Sequence, residues 1–272
     1  MIAAQPSRTA LAAAMYRAAH QELDGGRLFS DPFAMQIIGE ELRERTLEYG
    51  RARPLMRSFI AMRSRVAEEK LSAAVARGVN QIVVLGAGLD TLGVRNPHPE
   101  AAVYEVDHPA TQAWKRERLA AAHLTTGDNV RFVPVDFERQ DLGTELATAG
   151  FDDTASAFFV WLGVVPYLTE DAVFGTLRYI NGAAGNETVF DYSNPTEQLP
   201  PDARAHAEAR AKRAASIGEP FLSSFDTADL HRRLRDIGAA EIDDLGPERL
   251  AAQYGRPSPV GDRGGHIVWV RF

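Results

Sequence analysis

Short apolar runs separated by polar stretches recur between residues 81 and 181. Ile82 to Leu85 is a run of four apolar residues, three of them β-branched, and Gly86 and Gly88 follow it directly. A strand that is buried on both faces of a sheet has this pattern. Three further runs alternate with helix-forming stretches at 109–123 and 169–181; they lie at 102–106, 130–134 and 156–161. This alternation predicts a parallel sheet with right-handed crossovers.

The first eighty residues have helical patterns instead. Thr9 to Leu23 carries apolar residues at helical spacing, Asp31-Pro32 starts a second helix, and Pro54 opens a long one that runs to about Arg77. These helices precede the first strand. We therefore expect a helical extension, residues 1–80, that packs over the ligand edge of the sheet.

The alternation also stops after a fifth predicted strand at 188–192. Residues 194–225 form a separate segment with helical character at 202–215, which is either a lid over the carboxyl edge of the sheet or a plain surface helix. A helix at 227–237 with Asp226 as its cap follows. Strands at 241–245 and 266–272 complete the sheet. The fold predicted is a doubly wound, seven-stranded, mostly parallel α/β sheet.

Three successive predicted strands end in residues that suit one adenosine. The first ends in the loop Gly86, Ala87 and Gly88, and the second ends in Asp107, about twenty residues later, the spacing at which an acidic side chain meets ribose hydroxyls. The third ends in Asp136-Phe137, an acceptor and an apolar wall for adenine. The dinucleotide fingerprint GxGxxG fails at Thr91, and an ordinary strand-ending turn remains an alternative reading of the glycines.

Several longer motifs resemble one family across nearly the whole chain. The sequence is similar to class I S-adenosylmethionine-dependent methyltransferases, and more narrowly to the leucine carboxyl methyltransferase family with its bacterial O-methyltransferase relatives. The resemblance rests on the following stretches: RSR at 63–65, LGAGLDT at 85–91, YEVDHP at 104–109 with Lys115, PVDF at 134–137, WLGVVPYLTED at 161–171 and GEPF at 218–221.

The resemblance implies S-adenosyl-L-methionine as cofactor and assigns residues to it. Arg17 and Arg63, with Arg65 as a rival, would hold the methionine carboxylate, since a guanidinium suits that bidentate task. The remaining expected cofactor contacts are Gly86, Ala87, Gly88, Asp107, His108, Asp136, Phe137, Trp161 and Leu162. The family often has glutamate where Leu162 stands, so the contact to the cofactor's amino group is in question there.

The resemblance also suggests a carboxylate on a small metabolite as methyl acceptor. A carboxylate is already ionised at neutral pH and requires no general base. A hydroxyl acceptor would need one, and His108, Tyr167 and Tyr192 are then the first candidates, although His108 also suits a cofactor-pocket wall and Tyr167 suits packing. A nicotinamide-dependent oxidoreductase and a non-catalytic nucleoside-binding protein remain as alternatives from other classes.

Composition limits the remaining classes. The 272 residues, 45% hydrophobic, suffice for a single domain, which we divide at 1–80, 81–193, 194–225 and 226–272. The net charge of −7 argues against nucleic acid or an anionic membrane as partner. The chain has no cysteine, its seven histidines lack metal-binding spacing, and no leader or spanning run is visible, so we expect no metal and a cytoplasmic location. The oligomeric state cannot be read from the sequence.

Overall fold

The computed structural model describes residues 7–136, 139–255 and 262–272, except for the side chain of Asp202. Its seven strands form one sheet in the order β3-β2-β1-β4-β5-β7-β6. The strands are β1 Gln81–Leu85, β2 Ala102–Asp107, β3 Val130–Pro134, β4 Phe158–Trp161, β5 Glu187–Ser193, β6 Glu241–Leu245 and β7 Gly265–Arg271. β2 pairs in parallel with both β1 and β3, and β4 pairs in parallel with β5. β7 is antiparallel to β5 and β6. The predicted seven-stranded, mostly parallel sheet is confirmed, and its last strand lies antiparallel between β5 and β6.

Eleven α-helices occur in the described residues. They are α1 Arg8–Leu23, α2 Ala34–Ile38, α3 Arg43–Arg51, α4 Pro54–Ala76, α5 Leu92–Arg95, α6 Pro109–Ala121, α7 Leu142–Thr148, α8 Glu170–Ile180, α9 Pro201–Ser216, α10 Thr227–Asp236 and α11 Pro247–Tyr254. Their starts follow from local chemistry. Ser7, Asp141, Thr169 and Asp226 each accept a backbone N–H of the first turn, which satisfies a donor that has no partner inside the helix.

The second predicted helix differs from the structure. Instead of one helix from Asp31-Pro32, the chain has α2, a 3₁₀ turn at Glu40–Leu42 and then α3. Gly39 separates them with φ +93°, a conformation that breaks helical geometry. The short helices α5, α7 and α11 were not predicted, because four to eight residues carry too little periodic pattern.

The chain divides into two compact units, one ending at Asp152 and the other spanning Asp153–Phe272. In the first unit, α1, α2 and α6 share a core that includes Ala14, Ile37, Ile38 and Leu119 with the loop residue Leu89. In the second, β5 is buried along nearly its whole length. The single domain with four segments stays a prediction.

Candidate functional site

The loop after β1 is shaped by its two glycines. Gly86 and Gly88 have φ of +68° and +47°, a region that side chains with a Cβ rarely adopt. The amides of Gly86 and Ala87 donate to the carbonyl of Val106 at 2.8 and 3.0 Å, which ties the loop to β2. A Cβ on Gly88 would lie 2.9 Å from the Cβ of Ala10, so glycine also allows α1 to lie directly on the loop.

Asp107 ends β2 with its carboxylate fixed by backbone amides. Oδ2 accepts the Gly88 N–H at 2.5 Å and Oδ1 accepts the His108 N–H at 2.7 Å. Burial raises the pKa of Asp107, and the two hydrogen bonds oppose part of that rise. A carboxylate has about four acceptor positions, so two remain for further donors. The acceptor set therefore fits the two hydroxyls of a ribose.

Asp136 follows the neighbouring strand. β3 lies beside β2, and the Val135 N–H donates to the Asp107 carbonyl at 2.8 Å, so Asp136 lies close to the end of β2. The Asp136 amide donates to the Gln140 side chain at 2.9 Å, and its carboxylate lies 3.6 Å from Arg139. Phe137, the predicted adenine wall, lies outside the described residues.

The three predicted arginines have different environments. Arg17 on α1 is buried and donates from Nε to Asp31 at 3.0 Å and from Nη2 to the Leu89 carbonyl at 2.5 Å, so it fastens α1 to the glycine loop. A guanidinium has five N–H groups, which leaves donors for a ligand. Arg63 on α4 is buried, whereas Arg65 is half-exposed and pairs with Glu69. Burial favours Arg63 over Arg65 as the cofactor ligand.

Sequence reasoning did not predict that Glu105 and Lys115 form a pair, although both lie in the stretch YEVDHP with Lys115 that carries the family resemblance. Lys115 on α6 lies 2.5 Å from Glu105 on β2, close enough for an ion pair although poorly aligned for a hydrogen bond, and both side chains are almost fully buried. Burial raises the pKa of Glu105, and the charge of Lys115 opposes this. The side chains of Glu105 and Asp107 share one face of β2. Alternation of strand residues could have indicated the shared face, but not the lysine that covers it.

Asp90 is the second acid that sequence reasoning missed. Its carboxylate accepts the Leu92 N–H at 2.7 Å. Burial alone would raise the pKa of Asp90, but the charges of Arg17, Arg95 and Lys115 lower it below its usual value. The loop after β1 therefore carries a carboxylate whose charge is balanced by three nearby cations.

In the second unit, Trp161 ends β4 fully buried, with its ring 5.9 Å from that of Phe190. Leu162 is partly buried, and the next amide, that of Gly163, donates to Asp191 on β5 at 2.5 Å. Asp191 was not predicted; it fixes the loop that follows β4. Contacts of Trp161 and Leu162 with a cofactor stay predictions.

The three candidate bases are all engaged. His108 is the N-cap of α6, and its Nδ1 accepts the Ala110 N–H at 3.2 Å. Tyr167 lies in a 3₁₀ turn and packs 5.3 Å from the Phe221 ring. The Tyr192 hydroxyl donates to Asp244 at 2.6 Å, and burial together with that carboxylate raises the pKa of Tyr192 far above its ordinary value. The contacts of the His108 Nδ1 atom and of the Tyr192 hydroxyl disfavour these two groups as proton acceptors, whereas the ring contact of Tyr167 concerns its packing.

Comparison with known proteins places this geometry in a family. The family described as leucine carboxyl methyltransferase matches residues 10–181, which include the glycine loop, Asp107 and the loop after β4. The chain belongs to the leucine carboxyl methyltransferase family. As a member of that family it is an S-adenosyl-L-methionine-dependent methyltransferase, and S-adenosyl-L-methionine is its cofactor.

Relatives of this methyltransferase cover most of its length. It is 31% identical over 276 residues to YktD of Bacillus subtilis (strain 168), which carries the name of an S-adenosyl-L-methionine-dependent methyltransferase, with 90% of each chain covered. A protein of Mycobacterium avium (strain 104) with the same kind of name is 29% identical over 93% of this chain and 89% of its own. Among solved structures, a DUF574 family protein from Streptomyces avermitilis shares the fold, with a TM-score of 0.58, 15% identity and 96% of both chains covered.

Two further observations concern the described residues alone. No group of three or more histidine, aspartate or glutamate side chains there is arranged to hold a metal ion. None of the described helices is long and apolar enough to cross a membrane.

Proposed function

We propose that this methyltransferase transfers the methyl group to oxygen, on a carboxylate of a small metabolite. S-adenosyl-L-methionine supplies a methyl group that is activated by positively charged sulfur. The protein then has to bind the cofactor, align the acceptor oxygen for in-line displacement and exclude water. The proposal rests on the hydrogen bonds of two candidate bases. His108 Nδ1 accepts a backbone N–H and the Tyr192 hydroxyl donates to Asp244. A carboxylate acceptor fits this arrangement, because it is already ionised and needs no base.

The cofactor would be held from the carboxyl ends of the strands. Asp107 would accept the ribose hydroxyls, since two backbone amides orient it and acceptor positions remain. Asp136 would accept from the adenine amino group. Arg63, and the donors of Arg17 not given to Asp31 and Leu89, would hold the methionine carboxylate. Residues 194–225, which contain α9, would cover the acceptor as a lid.

A hydroxyl acceptor is the second candidate, and one observation favours it. His231 on α10 is partly exposed, and its Nε2 lies 2.8 Å from the Asp244 carboxylate. A histidine held by a carboxylate is the arrangement that general-base catalysis uses. In that case His231 would accept the proton of the hydroxyl.

The acceptor type can be tested by the stability of the product. The enzyme would be incubated with methyl-labelled cofactor and fractions of a metabolite extract, and each labelled product would be treated with mild alkali. A methyl ester releases labelled methanol under these conditions, whereas a methyl ether retains the label. Labelled methanol is the expected result; alkali-stable label would refute the carboxylate proposal and support the hydroxyl candidate.

A further inference from the structure

Polar contacts surround His266 at the start of β7, and none of the residues involved is assigned to the cofactor. His266 is almost fully buried, and its ring stacks on that of Tyr192 with 4.8 Å between centroids. Nδ1 lies 2.8 Å from Oδ1 of Asp244 on β6, and Nε2 lies 3.0 Å from Oδ1 of Asn194. Both ring nitrogens thus face oxygen atoms.

The side-chain orientation of Asn194 is fixed by two backbone groups. Its Oδ1 accepts the Gly264 N–H at 3.0 Å, and its Nδ2 donates to the Phe225 carbonyl at 3.2 Å. If Oδ1 and Nδ2 were exchanged, Nδ2 would face the Gly264 N–H and Oδ1 would face the Phe225 carbonyl, so both hydrogen bonds would be lost. The atom that faces Nε2 of His266 is therefore an acceptor, and Nε2 must carry a hydrogen.

The other ring nitrogen faces a carboxylate. Oδ2 of Asp244 accepts the Tyr192 hydroxyl at 2.6 Å and lies 2.8 Å from Nε2 of His231. Hydrogen bonds to a carboxylate favour its ionised form, and the pKa of Asp244 accordingly lies below its usual value despite burial. An ionised carboxylate only accepts, and Nδ1 of His266 must also carry a hydrogen. With a hydrogen on each nitrogen, the ring is an imidazolium. Asp262, whose negative charge also acts on Tyr192, lies in the stretch just before β7.

The contacts of Asn194 join the two ends of the lid segment, residues 194–225. At one end, the Asn194 amide donates to the Gly264 carbonyl at 2.9 Å, next to β7. At the other end, the Phe225 amide donates to the Ser193 carbonyl at 3.0 Å, and its carbonyl accepts from Asn194. The hydrogen bond from His266 reaches the side chain at which both ends meet.

We propose that His266 is a positioning residue: it carries hydrogens on both ring nitrogens and, as a buried imidazolium, clamps the two ends of the lid segment. The link to acceptor binding rests on the proposed function, which assigns these residues to the acceptor. Neutral histidine could satisfy Asp244 or Asn194 but not both, because it has one N–H. Only the charged ring can donate to Asp244 on β6 and to Asn194 of the lid segment at the same time.

Nitrogen NMR of the wild-type enzyme tests the protonation directly. In protein labelled with ¹⁵N-histidine at neutral pH, an imidazolium gives two ring nitrogens with similar shifts, whereas a neutral ring gives two widely separated shifts. The His266 signals are assigned by their loss in His266→Gln. Similar shifts are expected for His266; widely separated shifts would overturn the proposal. The signals of histidines far from Asp244, such as His98, should stay unchanged in His266→Gln, which shows that the variant is folded.

Limited trypsin digestion tests the clamp. Lys212 and Arg213 on α9 are exposed cleavage sites in the lid segment. We expect His266→Gln to speed cleavage there by about tenfold or more, the size expected for one lost charge-assisted hydrogen bond. His206→Gln, an exposed change on the same helix, should alter the rate less than about twofold. Equal rates for the two variants would overturn the clamp.

The alkali treatment of the labelled product separates this inference from the proposed function. If the label is stable to alkali while His266 gives the imidazolium pattern and its substitution opens the lid segment, the clamp stands and the proposed function fails. If labelled methanol is released and His266 is neutral, the clamp fails and the proposed function stands.

Discussion

Several charged side chains of this enzyme are buried, and each lies close to a group that compensates its charge. The side chain of Asp107 is largely shielded from solvent, and two backbone amides hold its carboxylate in place. Lys115 and Glu105 lie directly behind it as a buried pair. The sequence motif locates Asp107 at the end of a strand, but it does not show that Lys115 compensates the charge of the neighbouring Glu105.

Replacing Asp107 tests the assignment to ribose. Asp107→Ala should weaken S-adenosylhomocysteine binding by about 1–3 kcal/mol, because the ribose hydroxyls lose their charged acceptor. The exposed change Asp128→Ala, on the loop before β3, should leave affinity unchanged. Calorimetric titration of both folded variants provides the measurement, and equal affinities would remove Asp107 from the ribose site.

Replacing Lys115 tests the buried ion pair. Lys115→Met should lower the free energy of unfolding by about 3–5 kcal/mol, because the carboxylate of Glu105 stays buried without its counter-charge. The double variant Lys115→Met/Glu105→Gln should recover most of that loss. Urea denaturation of the wild type, the single variants Lys115→Met and Glu105→Gln, and the double variant measures both effects. A double variant that is no more stable than Lys115→Met alone would contradict this account.

Some contacts between helices, strands and loops depend on one or two particular residues. The helix α1 lies on the loop after β1, with Ala10 against Gly88 and Arg17 on the Leu89 carbonyl. In the second unit, β5, β6 and β7 are joined by Tyr192, Asp244 and His266. The loop and this cluster are therefore sites where a small change should affect a whole element.

Two effects would destabilise a substitution at Gly88, the contact with α1 and the left-handed backbone, and a comparison with Gly25 measures them separately. Gly25 has φ +63°, and a Cβ added there would have no atom within 4 Å, so Gly25→Ala should cost about 1–2 kcal/mol from the left-handed backbone alone. Gly88→Ala should cost about 1–3 kcal/mol more, because its methyl group would overlap Ala10. Urea denaturation compares them. Equal losses would mean that α1 adapts to the methyl group.

The cluster around Asp244 should make stability depend on pH. Because the pKa of Asp244 is lowered in the folded state, its contribution is present above the unfolded value of about 3.9 and is lost as pH falls through the folded value. Asp244→Asn should cost about 3–5 kcal/mol at neutral pH, since His266, His231 and Tyr192 lose an ionised acceptor. Denaturation at several pH values should show this difference shrinking in acid; a constant difference would contradict it.

The sequence predicts the strands better than the helices for a physical reason. A strand such as β1 is buried on both faces and is apolar at every position but its first, Gln81, so its pattern is easy to detect. α2 and α3 are divided by the backbone of Gly39, a break that the apolar spacing of 31–51 does not contain. Asp107 was located by its place after β2, whereas the partners of Asp90, Asp191 and Asp244 come from distant parts of the chain that only the folded structure brings together.

At the scale of the whole molecule, the cofactor should act as a stabiliser. A ligand that binds only the folded state adds about 2.7 kcal/mol at a concentration one hundred times its Kd. S-adenosylhomocysteine should therefore raise the melting temperature of the wild-type enzyme, and NADH should not. The Asp107→Ala variant at the same concentration should show a smaller rise. A rise with NADH alone would favour an oxidoreductase.

The contact between Ala10 and Gly88 also bears on how the protein is made. During synthesis α1 leaves the ribosome long before the loop on which it rests, so its apolar side must wait for a partner that is still being translated. Neither the helix nor the loop has its final support until both have been made. A stalled product that ends before the loop would therefore expose this helix to chaperones and proteases.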